Sequence, residues 1–223
     1  MSSFMSASIG RKFLMSITGL FLISFLCIHL TLNLLLTFDD SGSLFNLAAH
    51  FMATNPIIRI IEPLLAIGFV IHIIWSAWIT LENMRARPQK YEYGDQLLSW
   101  WAPAKNMFIL GGMVLIFLVV HIANFWVKLK FTGVDGVVVN GVEMHNAYAL
   151  VSNLFLNRWY DLLYIAGGIL VGLHISHGFW SAFQTIGFSN QIWLKRLKAV
   201  AFTIGAIFAV GFSYIPIYFL IKF

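Results

Sequence analysis

Five runs of this sequence contain no charged side chain, and each is long enough to cross a bilayer. They are Phe13–Phe38, Pro63–Leu81, Asn106–Val127, Leu162–Leu194 and Ala199–Ile221. A helix needs about 20 apolar residues to span the hydrocarbon core, so the fourth run is too long for one crossing. The stretch "TIGFSNQ" is expected to break it, with the span ending near Gln184. The segment "NPIIRIIE" extends the start of the second run. Lipid offers backbone groups no partner, so all five runs read as helices. The expected fold is an all-α membrane bundle of five helices, forming one domain over residues 1–223.

Composition agrees. Of 223 residues, 60% are hydrophobic and 10% charged, and the mean hydropathy is +0.83. A soluble domain of this length cannot hide so much apolar surface. The sequence pI near 9.4 does not point to nucleic acid, because the basic residues lie between the apolar runs. With the N-terminus inside, nine of the 14 Lys and Arg residues fall on inner segments. These are Arg11, Lys12, Arg85, Arg87, Lys90, Lys105, Lys195, Arg196 and Lys198, against Arg59, Lys128, Lys130, Arg158 and Lys222 outside. That bias favours N-terminus inside and C-terminus outside. The first run is roughly twice the length of a leader's apolar segment and no A-x-A-like site follows it, so it reads as a retained span.

The connections carry local signals. "SLFNLAAHFMAT" can form a short interfacial helix, and Asn55–Pro56 supplies an N-cap and a first-turn proline for the second span. DG and NG pairs between the third and fourth runs suggest a small hairpin. Trp100 and Trp101 suit an interfacial aromatic belt. The single cysteine, Cys27, excludes an intrachain disulfide and a cysteine-ligated cluster.

Histidines carry the chemistry. His50 and His145 fall in connecting segments, but His29, His72, His121, His174 and His177 lie within spans, on four successive helices. Ionisable residues inside a bilayer are costly and usually functional. At a rise of ~1.5 Å per residue, His29 and His121 lie roughly 15 and 10 Å from the outer boundary, and His72 and His174 roughly 20 and 24 Å. Two levels result, each with one histidine from each of two helices. Paired imidazoles at two depths suit bis-histidine haem, which leaves iron no open position for oxygen and so favours electron transfer. Gly19, Gly68, Gly111, Gly112, Gly167, Gly168 and Gly172 are small residues against which a flat macrocycle could lie. Zinc prefers ligands gathered at one depth. A proton relay would mix in carboxylates, and Glu62 is the one acid read as near the membrane interior.

The stretches "FLCIHLTLNLLLTF", "FVIHIIWSAW", "LVVHIANFW" and "LHISHGFWSAF" together resemble the cytochrome b membrane anchor of succinate:quinone oxidoreductases. The similarity is to the bacterial single-chain form with five helices and two haems, and it runs over nearly the whole chain. It implies that His29 and His121 hold a distal haem b, and His72 and His174 a proximal one. His177, one turn beyond His174, is left to a propionate or a backbone carbonyl, and Ser16, Arg11, Lys12, Arg85 and Lys105 are further propionate or partner contacts. It also implies a flavoprotein and an iron–sulfur protein docked on the cytoplasmic face of a bacterial inner membrane. Electrons would pass in the respiratory chain between them and a quinone, expected to be menaquinone, and Glu62 would exchange the quinone's protons. The chain has no nucleotide loop and no cluster ligands, so it cannot oxidise succinate or reduce fumarate alone. Two alternatives stay open: the cytochrome b partner of a hydrogenase or formate dehydrogenase, and a haem-free transporter or structural anchor.

Overall fold

Residues 8–86, 103–188 and 190–223 are described by the structure, a computed structural model. Trp100, Trp101, Arg87 and Lys90 lie outside the described residues, as does the side chain of Lys105. Helix α1 covers Ser8–Leu34 and runs into a 3-10 turn, Leu35–Thr37. Next come α2 (Ser43–Thr54), α3 (Pro56–Arg85) and α4 (Pro103–His121). Strands β1 (Gly136–Val139) and β2 (Val142–His145) precede α5 (Ala147–Leu154), α6 (Arg158–Thr185) and α7 (Gln191–Lys222). Five of the helices are long and apolar enough to cross a membrane. The chain is a multi-pass membrane protein with a helical bundle, and α2, α5 and the hairpin gather at one end of it.

The caps explain several boundaries. Asn55 Oδ1 accepts from the Ile57 and Ile58 amides, and Pro56 opens α3. The second span therefore starts at Pro56, as the Asn55–Pro56 pair predicts, and Pro63 lies inside the helix. Asn190 accepts from Ile192 and Trp193, so α7 begins at Gln191, eight residues before the expected Ala199. The segment "QIWLKRLK" is helical, with its cationic side chains exposed and Arg196 over the Trp193 ring. The break in the long fourth run falls at Ile186–Phe188, close to the expected place. The third span continues past Val127 through two π-helical stretches, Ile122–Trp126 and Lys128–Thr132. In the hairpin, Val139 pairs with Val142 around Asn140 and Gly141, both at positive φ. That is the backbone twist a tight two-residue turn demands.

Helix α6 is the centre of the bundle, packed against α1, α4 and most extensively α7. The α6–α7 contact is backbone against backbone. A Cβ on Gly172 would lie 2.5 Å from the Gly205 carbonyl, and one on Gly205 would lie 2.6 Å from the Gly172 carbonyl. Ser213 adds a hydroxyl bond to the Ile165 carbonyl. The main core sits at the hairpin end and includes Leu36, Phe45, Val151, Phe155, Tyr164 and Phe219. Asn46 ties α2 to that end: its carbonyl accepts from the Tyr148 amide at 2.9 Å and its amide donates to Asn146 Oδ1 at 3.2 Å. Lys222 and Tyr218 donate to Asp40, which holds that exposed carboxyl below the usual carboxylate range. By contrast α3 buries only Gly68, and no residue of α4 with a described side chain is fully buried. Their outer faces are left to lipid.

The glycine contact generates a test. Gly205→Val forces the α6 and α7 backbones apart and should cost about 1–3 kcal/mol, read as a lowered thermal midpoint in detergent. Gly112→Ala, where an added Cβ meets nothing within 4 Å, should leave the midpoint unchanged.

Candidate functional site

The intramembrane histidines form two pairs. His29 on α1 and His121 at the end of α4 have ring centroids 5.7 Å apart, with planes at 84°. His72 on α3 and His174 on α6 are 6.3 Å apart, at 71°. The α1 residue at the level of the second pair is Thr18, whose hydroxyl lies 3.3 Å from His72 Nδ1. From there to His29 is about 11 residues, or ~16 Å along the helix. On α4, Gly111 marks the His174 level, and His121 lies about ten residues, or ~15 Å, further on. The two pairs therefore sit at two depths, with His29 and His121 toward the hairpin end.

Their surroundings differ. His121 is enclosed by Phe117, Phe125 and Tyr164, at 5.9, 5.2 and 5.9 Å between centroids. Tyr164 accepts a bond from the Asn124 amide. His29 stacks on Phe25 at 5.2 Å. Asn33, one turn along, donates to the His29 carbonyl at 2.7 Å and reaches the ring nitrogens at 3.4 Å. The Thr18 hydroxyl donates to the Leu14 carbonyl at 2.9 Å, so it is placed to accept from an N–H at His72 Nδ1. That tautomer leaves the Nε2 lone pair free. His121 Nδ1 and His174 Nδ1 are buried without a hydrogen-bond partner.

Among the described residues, no three His, Cys, Asp or Glu side chains converge, so a cage of three or more such ligands is not built. Two facing imidazoles per level suit a group that takes one ring on each side. Of the seven glycines read as a bed for a macrocycle, only two lie beside a histidine of these pairs. A Cβ on Gly19 would come 3.4 Å from His72 Cε1, and one on Gly111 would come 3.5 Å from His174 Cε1. Gly68, Gly167, Gly168 and Gly172 are instead filled by other helices' side chains and backbone, and Gly112 faces open space.

The chain matches no family model, no curated protein and no solved structure. The histidine pairs therefore stand on their own geometry.

The remaining sequence candidates separate. Arg11 pairs with Glu82 at 2.6 Å, and Glu82 also accepts from Trp78 Nε1. Ser16 is buried and donates to the Lys12 carbonyl at 3.0 Å, while Lys12 and Arg85 are exposed. His177 lies against Trp180, at 5.0 Å between rings, under the same indole that Lys198 covers. Glu62 is not paired with Arg59, whose Nε donates to the Ala53 carbonyl. It accepts from Trp126 Nε1 at 2.7 Å and Lys130 Nζ at 2.9 Å, across from α3 to the π-helical end of the third span. Nor is it the only acid near the interior. Asp161, just ahead of the charge-free fourth run, is fully buried. Thr18, Asn33 and Tyr164 also belong to the site, and nothing in the sequence marked them, because their roles depend on which helix lies opposite.

The Glu62–Lys130 pair is partly exposed on both sides, at 34% and 40%. Its coupling energy in a double-mutant cycle of Glu62→Gln and Lys130→Met should be about 0.2–1 kcal/mol, measured from thermal midpoints. A coupling several-fold larger would contradict the open setting seen here.

Proposed function

We infer that this chain is a dihaem cytochrome b anchor of the succinate dehydrogenase and fumarate reductase type. It would carry electrons between an iron–sulfur subunit and a membrane quinone. The observation that supports the reading is the arrangement of His29 with His121 and His72 with His174, at two depths between four helices. Haem held this way supplies single-electron exchange with no open position for oxygen.

The chain's own part is to hold and insulate. His72 and His174 would grip the inner haem, with Thr18 setting the His72 tautomer and orientation, the role such outer partners commonly play. His29 and His121 would grip the outer one, walled by Phe25, Phe117, Phe125 and Tyr164. Arg11 and Ser16 are the polar groups turned inward near the N-terminal end. The basic residues of that end favour a cytoplasmic position and would meet the soluble flavoprotein and iron–sulfur subunits. The hairpin end would then face outward in a bacterial inner membrane. There Glu62 would accept the proton of a quinol, and Trp126 Nε1 and Lys130 Nζ, which now bond Glu62, would turn to the quinone carbonyl.

Purified in mild detergent, the chain should give about two haems by pyridine haemochrome, two imidazoles being used per iron. Mass analysis of the co-purifying subunits should find a flavoprotein and an iron–sulfur protein. Hydrogenase or formate dehydrogenase subunits in their place would move the chain to another quinone-linked complex, and a colourless protein would refute the cytochrome. His72→Ala and His174→Ala should abolish one redox component, and His29→Ala and His121→Ala the other. Loss of a single component in both His72→Ala and His121→Ala would break the pairing. Glu62→Gln should remove quinone-linked turnover while both haems stay bound. Normal turnover in that variant would exclude Glu62 from the quinone site.

A further inference from the structure

Asp161, in the first turn of α6, is 0% exposed, and neither of its carboxylate oxygens has a hydrogen-bond partner. The polar groups nearby are committed elsewhere. Arg158 donates to the Leu220 carbonyl at 2.5 Å, and the Tyr164 hydroxyl accepts from Asn124 at 3.2 Å. Tyr218 and Lys222 both donate to Asp40, and Lys222 also reaches the Tyr148 hydroxyl. The other titratable groups on the surrounding elements are His29 on α1, His121, Lys128 and Lys130 on the third span, Tyr160 on α6 itself and Tyr214 on α7. None of them bonds Asp161, and the Arg158 charge acts on it only across space.

An ionised carboxylate closed off from water with no partner carries a penalty of several kcal/mol or more. The protonated acid escapes that penalty and needs only one acceptor. Ser213 meets Ile165, and Arg158 meets Leu220, which puts Asp161 near the height of Pro216 to Phe219 on α7. Pro216 is itself fully buried. Tyr160, the preceding residue, lines a cleft of about 460 Å³ at the hairpin end, together with Lys128, Asp135, Asn153 and Asn157, and Asp161 itself is closed off from it.

We propose that Asp161 is a proton-binding site, a carboxyl that carries its proton inside the bundle at the hairpin end. Tyr164, one turn along α6, brings this site to the His29–His121 pair, with its ring 5.9 Å from His121. That last link rests on the cytochrome reading. A haem held by that pair would gain one positive charge on giving one electron to a quinone, and the acid would answer by releasing one proton, R–COOH → R–COO⁻ + H⁺. Return of the electron reverses the step, and no other bond changes.

The test is infrared spectroscopy of the full chain with carboxyl-labelled aspartate, at neutral pH and with any bound haem reduced. A protonated-acid carbonyl band that shifts with the label and vanishes in Asp161→Asn is expected. Its absence in the parent protein overturns the proposal. Asp161→Leu removes the buried polar group and should fold with an equal or higher thermal midpoint. A large fall in midpoint in both the Asn and Leu variants would make Asp161 a structural partner instead, and overturn the proposal. In redox titrations, the outer component should become more reducing as pH rises, and that dependence should flatten in Asp161→Asn. An unchanged slope overturns the link to the histidine pair. A labelled acid band in a protein without haem would sustain the proton site and refute the cytochrome alone.

Discussion

The close approach of Gly172 and Gly205 sets the rest of the bundle. With no Cβ on either side, α6 and α7 meet backbone to backbone and form a rigid pair. Helix α6 then offers its other faces to α1 and α4, which places His174 and Tyr164 where they meet residues of α3 and the third span. Helices α3 and α4 are held less closely, and each contributes a histidine to a different level. The tightest packing and the two imidazole pairs thus lie on opposite sides of one helix.

Much of this was legible in the sequence. Charge-free runs located five spans, because a side chain's charge is the strongest bar to lipid. Asn55–Pro56 opened α3 as its capping chemistry requires, and the NG pair turned the hairpin. The long fourth run broke where its small and polar residues cluster. Helical rise alone sorted the histidines by depth, since depth accumulates along one chain and needs no knowledge of neighbours.

What was not legible depended on rotation and on contacts between helices. The seven glycines read as a bed for a macrocycle were divided by the fold into two beside histidines, four consumed by packing and one facing open space. Glu62 meets Lys130 rather than Arg59, because a π-helical stretch turns Trp126 and Lys130 toward α3. Helix α7 starts earlier than its apolar run, because an asparagine cap costs little and the cationic turn it begins stays exposed. Asp161 escaped notice because the apolar run was read as beginning one residue later. A carboxyl at the edge of a span looks like an interfacial charge until the opposing helix is seen to cover it.

The residues that seal α6 come late in the chain. Synthesis runs from the N-terminus, so all four histidine-bearing helices emerge before Gly205 exists to lock against Gly172, and before Lys222 can clasp Asp40. Until the last helix arrives, the bundle lacks its keel and its closure at the hairpin end. A flat group held between the histidine pairs, as proposed, would have its easiest lateral entry while only the first four helices are in the membrane, with the fifth as the bolt drawn afterwards.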